Sequence, residues 1–218
     1  TLHTDLTGVL DNHAAGALVS MGKQTLIAGS LNNDQGIISG QADVDLNVAG
    51  RLDNSNNGLI SAAQHLGFNN AQSQILNRGG RINAANITFI GESLDNSAGQ
   101  LISQCTLDGT LSGALINANN ARLASGAALL LNAASLGNRG GQLVSQDRLD
   151  LTLANGDLDN SAKGTLASQK DLVIKLLAGD VQNQQDGLMF SQKGKLDLTA
   201  RALTNDQGTL QSQTDNRL

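Results

Sequence analysis

The chain has 218 residues, with no Pro, Trp or Tyr, three Phe, one Cys and a formal net charge of −5. Aromatics ordinarily bring about 150–250 Å² of buried surface each, so any core here must be built from Leu, Ile, Val and Ala. A charged fraction of 15% against 39% hydrophobic residues excludes ordinary disorder. The acidic balance supplies no patch for nucleic acid, and no apolar run reaches the roughly 20 residues of a spanning helix.

Read along the chain, one phrase keeps returning. Leu-Asp-Asn stands at 10–12, 52–54, 94–96 and 158–160, with Leu-Asn-Asn at 31–33. Alignment on the asparagine gives ten copies in chain order: Asn12, Asn33, Asn54, Asn77, Asn96, Asn117, Asn138, Asn160, Asn183 and Asn205. Their spacings are 21, 21, 23, 19, 21, 21, 22, 23 and 22 residues, so the repeats fill residues 1–218 with no linker. Two residues before each Asn is an aliphatic (Leu10, Leu31, Leu52, Ile75 and onward to Leu203). Three or four residues after it is a glycine, from Gly16 and Gly36 to Gly208, except in the sixth copy, which has Asn120 and Ala121 there.

Two residues past that position is a second aliphatic, such as Leu18, Ile38, Leu101 or Leu166. A Ser generally follows, as in Ser20, Ser39, Ser61, Ser103, Ser125, Ser145, Ser168, Ser191 and Ser212. Each copy then closes on strict alternation, seen in Val44/Leu46/Val48, Leu66/Phe68, Ile87/Phe89, Leu149/Leu151/Leu153, Leu172/Ile174/Leu176 and Leu196/Leu198.

Apolar residues at a period of two send alternate side chains to opposite faces of a strand, and no stretch of a copy remains for an amphipathic helix. Gly and Asn are expected where the chain needs positive φ, with Asn120 supplying it in the sixth copy. The aliphatics of one copy cannot offset the ordering of about 21 backbones, so the copies must stack, strand on strand, about 4.8 Å apart. The pattern predicts an all-β chain: a right-handed parallel β-helix of about ten rungs with a repeat of about 21 residues, near 48 Å long. The ten asparagines then form a ladder of side-chain amides, a structural role rather than a catalytic one. The absence of Pro follows from strands paired on both sides, each needing its N–H. The residue before each ladder Asn is Asp at 11, 53, 95 and 159, never in two consecutive copies, as expected if like charges must not stack.

The pattern L-[DN]-N-x-x-G-x-[IL]-x-S followed by L-x-L, clear at 94–107, 158–172 and 31–46, resembles the filamentous haemagglutinin repeat of large secreted proteins of Gram-negative bacteria. The resemblance covers essentially the whole chain. It implies a two-partner secretion exoprotein, exported through a dedicated outer-membrane pore, whose repeats form a filament projecting from the cell. Relatives are adhesins or contact-dependent growth inhibition effectors with a C-terminal toxin. No match to the family's secretion domain and no toxin-like segment is seen here. Thr1 and Leu218 both fall inside the repeat pattern, so residues 1–218 are expected to be one segment of a longer array. Its ends would expose strand edges and favour end-to-end association of an otherwise monomeric fragment.

Cys105 is alone, which excludes an intrachain disulfide and a cysteine-based metal site, and it is expected to be a small buried strand residue. His3, His13 and His65 share no ligand spacing and read as solvated. Asp43 and Asp45 form a D-x-D that reads as ordinary strand residues. Scattered Asp and no Trp or Tyr argue against a glycan-cleaving β-helix, and the recurrent serines read as one ladder, without the G-x-S-x-G of a nucleophile. A leucine-rich repeat fits worse: its Asn follows the L-x-L pair by three residues, against seven from Leu198 to Asn205. No catalytic residue, metal or cofactor is expected. The chain reads as a filament shaft presenting a distal receptor-binding or toxin module that meets the target cell, or alternatively as a shaft that itself binds surface glycans or proteins.

Overall fold

A computed structural model describes all 218 residues. It holds 29 strands and no helix, and the strand pairs run parallel, turn upon turn. The chain is the β-solenoid of about ten turns that the period-two pattern and the 21-residue repeat predict. The absence of helix also disposes of the leucine-rich alternative.

Each turn lays down three strands, so the coil has three faces. The first face carries the short strands that lead into the ladder asparagines, such as Val9–Asp11, Ser30–Asn32 and Arg51–Asp53, and forms a sheet of ten. The second carries Ala17–Ser20, Ile37–Gly40 and their successors, and the third the alternating segments Gln24–Ala28, Val44–Val48 and onward. The second and third faces join into one 19-stranded sheet, because Leu59–Asn69 and Arg81–Gly91 run through the corner between them. That corner is also where register slips, between Ala84 and Asn86. The fourth repeat is the shortest, and it turns the corner with one residue fewer than its neighbours.

Alternation places every second side chain inside. The interior is a single cluster of 39 buried residues arranged in columns. One column runs Leu31, Leu52, Ile75, Leu94 on the first face and another Ile38, Ile60, Ile82, Leu101 on the second, all at most 1% exposed. On the third face Leu46 pairs with Phe68, Phe68 with Phe89, and Phe89 with Gly109. Two stacked rings thus replace two leucines, and the third turn of that column has no side chain.

Two sequence expectations are corrected. The serines do not form one column. Ser39 and Ser61 pair with Val19 and with each other on the outer side, and the positions in register with Ser20 are Gly40 and Ala62. From the fifth turn on, Ser103, Ser125, Ser145, Ser168 and Ser191 do stack, and they are buried. Their hydroxyls cap the corner carbonyls, for example Ser145 Oγ to Arg148 O at 2.9 Å. The second correction concerns Cys105, which is exposed. It lies in the corner Gln104–Thr106 after Ser103, whose side chains face solvent, while its N–H donates to Ala85 O at 2.7 Å.

Candidate functional site

The first face ends, on every turn, at a ladder asparagine. Asn12 Nδ2 donates to Asn33 Oδ1 at 2.7 Å, and the same bond continues Asn33 to Asn54, Asn54 to Asn77, Asn77 to Asn96, and Asn96 to Asn117. It goes on through Asn117 to Asn138, Asn138 to Asn160, Asn160 to Asn183, and Asn183 to Asn205. All nine links lie between 2.7 and 2.9 Å and all point the same way along the coil. Asn33 through Asn183 are 0% exposed. The second amide hydrogen is used as well. Asn33 Nδ2 reaches Leu59 O at 3.1 Å, Asn96 Nδ2 reaches Arg122 O at 3.2 Å, and Asn160 Nδ2 reaches Leu188 O at 3.1 Å. Each amide thus ties its own turn to the side chain and to the backbone of the next, which satisfies groups that would be costly to bury unpaired.

The glycine column belongs to the same unit, though for a reason other than backbone dihedrals. Positive φ falls on the residues before those glycines. Five turns have three residues from Asn to Gly and one left-handed residue (Gln35, Gly79, Ala98, Gly140, Gln207). Five have four residues and a left-handed pair, as at Ala14–Ala15, Asn56–Asn57 and Asn119–Asn120. Asn120, with φ 61°, therefore takes the expected conformation, but the glycine's place is held by Ala121. What the column requires is space. A Cβ on Gly36 would stand 2.0 Å from Asn12 O and 2.6 Å from Asn33 Oδ1, and one on Gly141 1.6 Å from Asn117 O. The ladder amide and the carbonyl one turn below occupy the position of a side chain. In the four-residue turns the gap is wider, 2.5 Å at Gly58 and 2.4 Å at Gly164, and the one alanine in the column stands in such a turn.

The residue before the ladder Asn has a role the sequence reading missed. Asp53, Asp95 and Asp159 each accept the N–H two residues ahead, from Ser55, Ser97 and Ser161, at 3.0–3.1 Å. Each also pairs with an arginine: Arg51 at 2.6 Å, Arg78 at 2.6 Å and Arg139 at 3.2 Å. Asn32 stands between Asp11 and Asp53, donating to Asp11 Oδ1 at 3.0 Å. Burial works against ionisation of Asp53 and Asp95, yet the hydrogen bonds from serine and the arginine beside each outweigh it and hold both carboxyls below their usual range. The signal was available as D-N-S at 53–55, 95–97 and 159–161, a side chain turning back on its own backbone.

The remaining polar residues meet only in small local contacts, such as His13 Nδ1 and Asp11 Oδ1 at 2.7 Å. His3 and His13 are exposed, and His65 Nε2 lies 3.1 Å from Thr88 Oγ1. Asp45 pairs with Lys23 at 2.7 Å, and Asp43 Oδ1 accepts the His65 N–H. No group of three or more His, Cys, Asp or Glu is placed to hold a metal ion. The largest concavities are shallow hollows on the sheet faces, one of about 430 Å³ beside Ile116, Gly137, Asp157 and Asp159.

Comparison with known proteins gives one family. The sequence model of the haemagglutinin repeat matches residues 1–56, 48–108, 108–152, 153–189 and 176–218, which together span the whole chain. Neither the curated proteins nor the solved structures yield a match. Stacked turns, a buried amide column and five successive repeat matches converge, and the chain belongs to the haemagglutinin repeat family.

Proposed function

We propose that residues 1–218 are a length of rigid shaft in a secreted, cell-surface adhesin of the filamentous haemagglutinin kind, or in a contact-dependent growth inhibition effector built the same way. The shaft holds a receptor-binding or toxin module, lying outside these residues, away from the producing cell. The observation that carries this reading is the continuity of the columns. The aliphatic and Asn columns pass through ten turns, and the one-residue slip at Ala84/Asn86 and the alanine at position 121 interrupt neither, with no inserted loop long enough to build a site. Quasi-one-dimensional stacking gives a rod whose length is set by the number of turns. Passage through an outer-membrane pore of a Gram-negative cell suits a chain with one cysteine and no intrachain cross-link.

The test has two arms. Deleting one whole turn, residues 97–117, from the parent protein should shorten its reach by about 4.8 Å and leave secretion intact. Purified 1–218, applied to target cells, should not bind saturably. Saturable binding at micromolar concentration would favour the other reading, a shaft that is itself the adhesive surface.

A further inference from the structure

The chain carries two Asn-Gly dipeptides, Asn57-Gly58 and Asn155-Gly156, and three Asn-Ser dipeptides, at 54–55, 96–97 and 160–161. Asparagine is a thermolabile residue. It is most so before glycine, where no Cβ shields its side-chain carbonyl from the next backbone nitrogen. The coil holds these five asparagines differently. Asn54, Asn96 and Asn160 belong to the ladder, fully buried, with Nδ2 and Oδ1 both engaged. The nitrogen that would attack each of them is held as well. Ser55, Ser97 and Ser161 donate their N–H to Asp53, Asp95 and Asp159 at 3.0–3.1 Å, and a carboxylate on that N–H opposes loss of its proton.

Asn57 is exposed, but each N–H around it has its own acceptor: Asn56 N to Arg78 O at 2.9 Å, Asn57 N to Gly79 O at 3.0 Å, Gly58 N to Ser55 O at 2.9 Å and Leu59 N to Gly36 O at 2.9 Å. Asn155 is the exception. Residues 154–157 join Leu153 to Leu158, four residues where the preceding turn uses two, Ala134 and Ser135, between the paired positions Ala133 and Leu136. The Asn155 side chain is exposed and makes no hydrogen bond. Its own N–H and that of Gly156 share one acceptor, Ala134 O, at 3.4 and 2.8 Å, and the Asp157 N–H meets no backbone carbonyl.

We propose that Asn155 is a modification site: it cyclises onto the Gly156 nitrogen and is hydrolysed by water to aspartate and isoaspartate, in the folded coil and ahead of the other four. Hydroxide takes the Gly156 proton, the nitrogen bonds to Asn155 Cγ, and the Cγ–Nδ2 bond breaks. Nδ2 leaves as ammonia, taking a proton from water. Water then opens the five-membered imide at either carbonyl. Only the bond from Gly156 N to Ala134 O has to open first, a local event of low cost where so few bonds hold the backbone. The isoaspartate product routes the backbone through the former side chain, one CH2 longer. It does so in a corner where a Cβ on Gly179 would already stand 2.1 Å from Gly156 O, so the next turn has to adjust.

Peptide mapping by mass spectrometry tests it, on 1–218 aged at mildly alkaline pH, folded and in guanidinium chloride. In the folded protein Asn155 should convert at least about tenfold faster than Asn57, a gap that unfolding closes to about twofold. Asn54, Asn96 and Asn160 should stay intact while folded and convert once unfolded. Isoaspartate at 155 is read independently by a carboxyl methyltransferase specific for isoaspartate, with a labelled methyl donor. Asn155→Gln, on an exposed corner, should keep the melting of the parent and lose the early label. Four results would each overturn the proposal: Asn57 converting as fast as Asn155 in the folded protein, Asn155 intact after the unfolded chain has converted, ladder asparagines converting equally fast folded and unfolded, or early labelling that persists in Asn155→Gln.

Discussion

Phe89 occupies the space that a side chain at Gly109 would need. The two are paired in register on the third face, and a Cβ on Gly109 would fall 2.0 Å from Phe89 Cζ. A large ring in a column of leucines is accommodated by an empty position one turn on. Gly109→Leu alone should therefore overpack the column and cost about 1–3 kcal/mol, and Phe89→Leu alone should leave a void costing about 1 kcal/mol. The double variant restores a plain leucine column and should be more stable than Gly109→Leu alone, with a favourable coupling of about 1–2 kcal/mol. Urea unfolding of the four proteins reads this directly, and additive effects would contradict the packing described.

The ladder predicts an asymmetry between two substitutions at one position. Asn96→Leu strands Asn77 Nδ2 and Asn117 Oδ1, both buried, and should cost about 2–4 kcal/mol at any pH. Asn96→Asp can still accept from Asn77 but cannot donate to Asn117 while ionised. Buried against acceptors, its folded carboxyl would titrate above its unfolded value. The destabilisation is then full at neutral pH and is relieved as pH falls through the folded value. Thermal melts of both variants from pH 7 to pH 4 would separate them, and parallel curves would count against the donor role.

The two turn classes predict unequal tolerance for a methyl group. Gly141→Ala, with its Cβ 1.6 Å from Asn117 O, should destabilise far more than Gly164→Ala, where the corresponding distance is 2.4 Å. Ala121→Gly, in a four-residue turn, should change stability by about 1 kcal/mol or less. Equal losses at Gly141 and Gly164 would remove the distinction.

Asp95 sets part of the acid limit. Despite burial, its folded carboxyl is held below the usual range by Ser97 and Arg78. The sign follows: the stabilisation is present above the unfolded value and is lost as pH falls through the folded one. Asp95→Asn should keep the backbone cap from the amide oxygen while flattening the decline in melting temperature between pH 5 and pH 2 relative to the parent. An unchanged acid slope would show that the pair contributes nothing.

Leu101 and Leu166 are at most 1% exposed in the second-face column. Leu101→Asp or Leu166→Asp buries a carboxylate with no partner and should cost about 4 kcal/mol or more. Wild-type melting by either would contradict the core assignment.

Much of this fold could be read in the residues because each column is written once per turn. Leu31 and Leu52 are in the same place for the same reason, and ten copies average out local exceptions. What escaped the sequence was contact between neighbouring turns. The glycine column looks like a dihedral requirement until the carbonyl of Asn12 is seen against Gly36. Ser39 and Ser61 look like members of the Ser20 column because one residue of offset is invisible without register. Cys105 looks like a buried strand residue because nothing local marks the corner at Gln104. Asp95 and Arg78 lie 17 residues apart and one turn apart, and only stacking brings them together.

A continuous, buried column of asparagine amides joins every turn of the coil. Hydrogen exchange of the asparagine side-chain amides, observed by NMR on 1–218, reads that column residue by residue. Protection is predicted for Asn33, Asn54, Asn77, Asn96, Asn117, Asn138, Asn160 and Asn183, comparable to the backbone of the inner strands, with rapid exchange at the exposed Asn205. Exchange of the inner eight at the rate of free amides would show that the column is open to water.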